Sequence, residues 1–193
     1  MGMPADTQYY WTPADLEQFP EGDGNKYECI DGVLLMTPAP RPPHVAALMV
    51  LHEDLVLALH AAGQARRVNT STSDLRPTES DQVQPDLIVL REPASGGMRL
   101  DVPGCVVLIV EVISPSTAKR DRGVKRWLYQ RAGVPEYWIV DLDARLVERW
   151  TPEATVAEVH RDHIDWRDPV SGAELEIDLP AFFAGVGGAG SPR

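Results

Sequence analysis

The sequence predicts an α/β fold, a mixed β-sheet with helices on its faces. Three observations lead there. Two short apolar runs, PDLIVL at 85–90 and CVVLIVEVI at 105–113, read as buried strands. Residues 45–62 carry Val45, Leu48, Met49, Leu55, Val56 and Leu59 at helical spacing. Helical and strand-like segments follow one another as α-β-β-α-β-β-β-α-β-β-β, an order that packs helices against a sheet.

Taken in order, Thr12 and Pro13 are an N-cap and a first helical residue, and a short helix through Phe19 follows. KYECIDGVLLM is a β-hairpin turning at Asp31-Gly32. TPAPRPPH is a proline-rich loop, because proline cannot serve a central ladder. The 45–62 helix closes at Gly63, and its apolar stripe is core or a dimer face. Residues 66–76 supply one or two strands, and the buried strands follow, linked by EPASGGMRLDVPG. A second helix spans 121–132 and stops at Gly133. EYWIVDLD and RLVERW pair antiparallel, AEVHRD adds a further strand, and AELEIDLPAFF closes the core.

A chain of 193 residues suffices for one domain with a sizeable core, 1–193, with 1–10 and 184–193 expected as flexible termini. Cys29 and Cys105 form no CxxC pair and no disulfide framework, which points to a reducing compartment. The N-terminus shows no basic patch ahead of an apolar core, and 105–113 is too short to span a bilayer. The expectation is a cytoplasmic protein with no membrane partner. A net charge of −11 weighs against a generally basic nucleic-acid surface. Basic residues do gather locally, at Lys119, Arg120, Arg122, Lys125 and Arg126, as a solvated helix face or as a local contact to a phosphate backbone.

Glu111 interrupts the most apolar run in the chain, and Asp86 opens the other buried strand directly after Pro85. A buried ionised carboxylate costs several kcal/mol unless a cation or hydrogen bonds compensate it. If the two strands are neighbours, Asp86 and Glu111 converge, and two carboxylates with waters suit Mg²⁺. Asp121, Lys125 and Tyr129 fall at i, i+4 and i+8 on the following helix, so Lys125 can reach the same point. Asp86 also suits a turn after Pro85, and Lys125 a surface position. His44 suits a helix cap, a core position or a supporting place beside the site. Asp121 pairs with Lys125 or caps its helix. His52, Glu53 and Val56 break an H-E-x-x-H zinc motif at its last position. Ser114, Ser116 and Thr117 suit a turn and an N-cap better than nucleophilic roles.

The run VEVISPSTAKRDRGVKRWLYQRAGVPEYWIVD, with PDLIVL and KYECIDGVLLMTPAPRPPH before it, resembles the Uma2 family of endonuclease-like proteins in the PD-(D/E)XK nuclease superfamily. The resemblance covers residues 27–150 and implies a restriction-endonuclease-like core with flanking helices and an added β-hairpin. It implies that Asp86 and Glu111 hold Mg²⁺ or Mn²⁺. The motif lysine should stand two residues after Glu111, where this chain has Ile113. The resemblance transfers that role to Lys125, and it makes Glu28 a further metal or water ligand. The implied function is a metal-dependent endonuclease acting on DNA, with Lys119, Arg120, Arg122 and Arg126 as backbone contacts, and a homodimer by analogy. The alternative is an inactive nuclease-fold protein serving as a binding or assembly module.

Overall fold

The run around Glu111 becomes the central strand of the protein. In a computed structural model describing residues 9–20, 22–70, 74–93, 99–101 and 104–187, Val106–Ile113 (β8) is buried at every position. It pairs antiparallel with Leu87–Leu90 (β6) and parallel with Glu136–Asp141 (β9). A parallel neighbour requires a crossover, and a helical segment supplies it. That segment runs Ala118–Arg120 (α3), a π-helical turn at Asp121–Lys125, and Arg126–Arg131 (α4). It starts three residues before the position expected from sequence. Val68–Thr70 (β3) flanks β6, and Leu146–Trp150 (β10) and Glu158–His160 (β11) extend the sheet past β9, giving the order β11-β10-β9-β8-β6-β3.

The hairpin forms as expected, with Lys26–Ile30 (β1) against Val33–Thr37 (β2). Asp31 and Gly32 both take positive φ, 49° and 75°, the geometry that two-residue hairpins favour. A Cβ on Gly32 would also collide with the Tyr10 ring. The hairpin belongs to a second sheet, β2-β1-β5-β4-β7, with Asp74–Thr78 (β4), Asp81–Val83 (β5) and Arg99–Asp101 (β7). The single mixed sheet expected from the element order is therefore divided. His163–Arg167 (β12) and Glu174–Asp178 (β13) form a separate ribbon.

Several local expectations change. The first helix is only Pro13–Leu16 (α1). Pro42, Pro43 and His44 lie in the first turn of Pro42–His60 (α2) rather than in a loop, because proline is tolerated where helix N–H groups have no partner anyway. The buried stripe of α2 is Ala47, Leu51, Leu55 and Leu59, whereas Val45 and Met49 are exposed. This helix is apolar on most sides, so spacing alone does not select its buried face. By length and hydropathy α2 would also suffice to cross a membrane. Residues 184–187, expected in the tail, belong to Leu179–Gly187 (α5); residues 1–8 and 188–193 lie outside the described residues.

The six-stranded sheet is covered on both faces. Leu87, Val89, Leu108, Val110, Val112 and Val140 pack with α2, α5 and the ribbon. Ile88, Leu90, Ile109, Ile113, Tyr137 and Ile139 pack with α4 and the hairpin sheet. Alternation places Glu111 on this second face, with Ile109 and Ile113. Arg67, fully buried, joins the strands to the loop before β13 through a two-pronged pair with Asp168 at 2.6 and 2.8 Å.

Candidate active site

Two adjacent strands bring the first two acids together. Leu87 lies opposite Val110 in the antiparallel register of β6 and β8. One step further along that register sets Asp86 beside Glu111, and the Val112 amide donates to Asp86 Oδ2 at 3.0 Å. The hairpin adds a third acid. Glu28 on β1 is fully buried, and its Oε1 accepts the Gln84 amide at 2.9 Å.

Cations lie between the acids. Lys125 Nζ is 2.7 Å from Glu111 Oε1, 2.8 Å from Glu28 Oε1 and 3.9 Å from Asp121 Oδ1, with a side chain only 1% exposed. Tyr129 donates its hydroxyl to Glu111 Oε1 at 3.1 Å. The Asp121, Lys125, Tyr129 stripe thus faces Glu111 as its spacing predicts, carried on and just after the π-helical turn. Such turns occur often at functional sites. Lys26 Nζ lies 2.8 Å from Asp86 Oδ1, and His44 Nε2 lies 3.2 Å from Asp86 Oδ2. Lys26 is the site residue that sequence reading passed over. Its signal was present in KYE: positions two apart on a strand share a face, so Lys26 accompanies Glu28.

These contacts divide the acids electrostatically. Burial pushes Asp86 up, but the Lys26 ammonium and then the His44 hydrogen bond outweigh it and hold the carboxyl well below its usual range. Glu28 is likewise lowered, with Lys125 and Lys26 overcoming burial. Glu111 goes the other way: burial dominates, Lys125 only partly offsets it, and the Asp86 charge adds to it, so its carboxyl is pushed up to about 8. Lys125 itself is raised, because Glu111, Glu28 and Asp121 outweigh its own desolvation. Burial therefore makes Glu111 the acid of the three that holds a proton most readily.

The basic run on the helix does not form one surface. Arg120 reaches the site, donating to Thr37 Oγ1 at 2.7 Å and lying 4.0 Å from Glu28 Oε2. Arg122 is held by Asp141 and Glu148 at 2.7 and 2.6 Å. Arg126 lies over the Trp150 ring and donates to Gln130. Lys119 is exposed.

Residues 13–179 match the sequence profile of the Uma2 family, described as "Putative restriction endonuclease". The chain belongs to the Uma2 family. Its fold matches the crystal structure of "a putative nuclease belonging to DUF820" from Anabaena variabilis, with a TM-score of 0.70 and 18% identity, over 91% of this chain and 99% of that one. At that identity the likeness shows a shared restriction-endonuclease-like fold. No curated protein matches the chain.

The acids of this Uma2 chain suit a hard divalent cation. On each, one oxygen is saturated by protein donors. Asp86 Oδ2 has Val112 and His44, Glu111 Oε1 has Lys125 and Tyr129, and Glu28 Oε1 has Gln84 and Lys125. Two donors occupy both lone pairs of a carboxylate oxygen. Asp86 Oδ1 has room for a second partner beside Lys26, and Glu28 Oε2 is buried with no hydrogen-bond partner at all. Among the described residues no three acid, imidazole or thiol groups close into a cage. Mg²⁺ needs none, since one or two carboxylates with water and phosphate oxygens complete its octahedron.

Proposed function

We propose that this Uma2 protein is a Mg²⁺- or Mn²⁺-dependent endonuclease that hydrolyses phosphodiester bonds in DNA. The observation that carries the reading is that Asp86 and Glu111 on adjacent strands converge with Glu28 from the hairpin sheet, Lys125 lying between Glu111 and Glu28 and Lys26 on Asp86. The family description and the restriction-endonuclease-like fold support a nuclease. Asp86 and Glu111 are the residues to hold the cation, with Glu28 behind them. When bound, the cation supplies Lewis-acid charge to a phosphoryl oxygen and acidifies a water. The Val112 amide and His44 fix the Asp86 carboxylate, and Lys125 and Tyr129 fix that of Glu111. Such preorganised polar groups stabilise charge without reorganising during the reaction.

A second reading, a nuclease-fold binding or assembly module, draws on Ile113. Where the superfamily motif has its lysine, this chain has an apolar side chain packed with Ile109 and Tyr137 in the core. Plasmid cleavage with Mg²⁺ or Mn²⁺, against a chelator control and the Asp86→Ala variant, separates the two. Metal-dependent cleavage lost in the variant supports the nuclease. Wild-type protein that neither cuts DNA nor binds metal leaves the binding module.

A further inference from the structure

The position left apolar by Ile113 raises the question of which lysine meets the substrate. Lys125 is badly placed for it. Its ammonium is enclosed by Glu28, Glu111 and Asp121, and its side chain is 1% exposed. Glu111 and Glu28 take two of its N–H donors at 2.7 and 2.8 Å, and burial closes off the approach of a substrate to the third. Lys26 differs on both counts. Its side chain keeps 19% exposure, and its ammonium donates to Asp86 Oδ1, the oxygen that retains a free lone pair. His44, also 19% exposed, closes the other side of Asp86. Strand β1 therefore runs from the open side of the site at Lys26 to its buried floor at Glu28, which is 0% exposed.

We propose that Lys26, supplied by the hairpin rather than by the strand of Glu111, is the catalytic lysine of this site, contacting the phosphoryl group beside Asp86, while Lys125 is a positioning residue that holds Glu111 and Glu28. The inference rests on the nuclease reading above. Lys26 stays an ammonium and moves no proton. The water oxygen bonds to phosphorus, the bond from phosphorus to the leaving oxygen breaks, one water proton ends on that oxygen and the other stays with the new phosphate. Lys26 stabilises the negative charge that builds on a non-bridging oxygen. Losing one such donor costs roughly 10²–10³-fold in kcat.

The experiment compares wild type, Lys26→Gln and Lys26→Arg in three measurements: plasmid cleavage, Mn²⁺ titration by calorimetry, and thermal melting. Lys26→Gln should stay folded but melt below wild type, because Asp86 loses its ammonium partner, and lose roughly 10²–10³-fold in kcat with little change in KM. It should bind Mn²⁺ roughly tenfold more tightly, because a positive charge next to the cation has been removed. Lys26→Arg should recover part of kcat and keep wild-type Mn²⁺ affinity. If Lys26→Gln cuts at the wild-type rate while wild type is active, the lysine assignment falls and the nuclease reading stands. Unchanged Mn²⁺ affinity in Lys26→Gln overturns its place beside the cation. A wild type that binds Mn²⁺ but never cuts DNA overturns the nuclease reading and the catalytic role together.

Discussion

Lys125 donates to Glu111 from 2.7 Å although it lies fourteen residues further along the chain, on the helix that crosses over from β8 to β9. The same ammonium sits 2.8 Å from Glu28 on the hairpin sheet. One buried cation thus ties the central sheet, the crossover helix and the hairpin together.

Removing that cation should unfold the site. Lys125→Met leaves Glu28 and Glu111 buried without their partner, a loss of about 3–5 kcal/mol for a broken buried pair. Urea denaturation should show a midpoint shift of that size. A variant as stable as wild type would show that the acids are compensated elsewhere.

Asp86→Asn and Glu111→Gln should each keep the fold and lose divalent binding. Both changes preserve shape while removing the charge that hard cations require. Calorimetry with Mn²⁺ should show affinity reduced at least roughly tenfold in each, and cleavage should fall by roughly 10²-fold or more, the scale of lost electrostatic stabilisation. Wild-type cleavage in both variants would falsify the metal assignment.

Glu111 predicts a pH dependence of metal binding. Its carboxyl is pushed up to about 8, chiefly by burial, against an ordinary value near ~4.3. Between those limits the folded chain holds a proton that the unfolded chain has released. The Glu111 contribution to stability is therefore full below about pH 4 and lost as pH rises through about 8. A divalent cation competes with that proton, so Mn²⁺ should raise the melting temperature more at about pH 8 than at about pH 6, and binding should release protons. In Glu111→Gln this pH trend should vanish.

Arg67 and Asp168 contribute to how stability changes in acid. Burial pushes Asp168 up, but hydrogen bonds from Arg67 and Ser171 overcome it and hold the carboxyl down to about 2. Its folded value lies below its unfolded one, so its contribution is present above about pH 4 and lost as pH falls toward about 2. Arg67→Met should cost about 3–5 kcal/mol near neutral pH by stranding the Asp168 charge. Urea denaturation at about pH 7 and about pH 3 should show the cost shrinking with acid.

Much of this was legible before any coordinates. Alternating or continuous apolar runs identified the hairpin, β6, β8, β9 and β10, because side chains that must leave water impose a period on the chain. Glu111 stood out for the same reason, as a charge where the pattern demands an apolar group. Some elements that escaped have no such period, although β12, which the sequence reading passed over, alternates strictly. β5 is the triplet Asp81-Gln82-Val83, too short and too polar at its first two positions to show a period, and buried through contacts such as the Asp31 amide on Asp81 Oδ1 at 2.8 Å. α5 is an apolar run with two glycines that reads equally well as a strand.

For the site, apolar patterning singled out Asp86 and Glu111 and spacing singled out the Asp121, Lys125, Tyr129 stripe, whereas Glu28 followed from the family resemblance alone. Local spacing states which groups share a face, and that information survives folding. Tertiary structure alone decided that the sheet divides, that the hairpin docks Glu28 against Lys125 and Lys26 against Asp86, and that Arg122 and Arg126 turn away to β9 and β10. It also decided that Lys125 is sealed among acids while the Lys26 side chain keeps 19% exposure. Those outcomes depend on contacts between separate segments, including ones sixty or more residues apart, as with Lys26 and Asp86. No local pattern encodes them, because their energy exists only once the two strands have met.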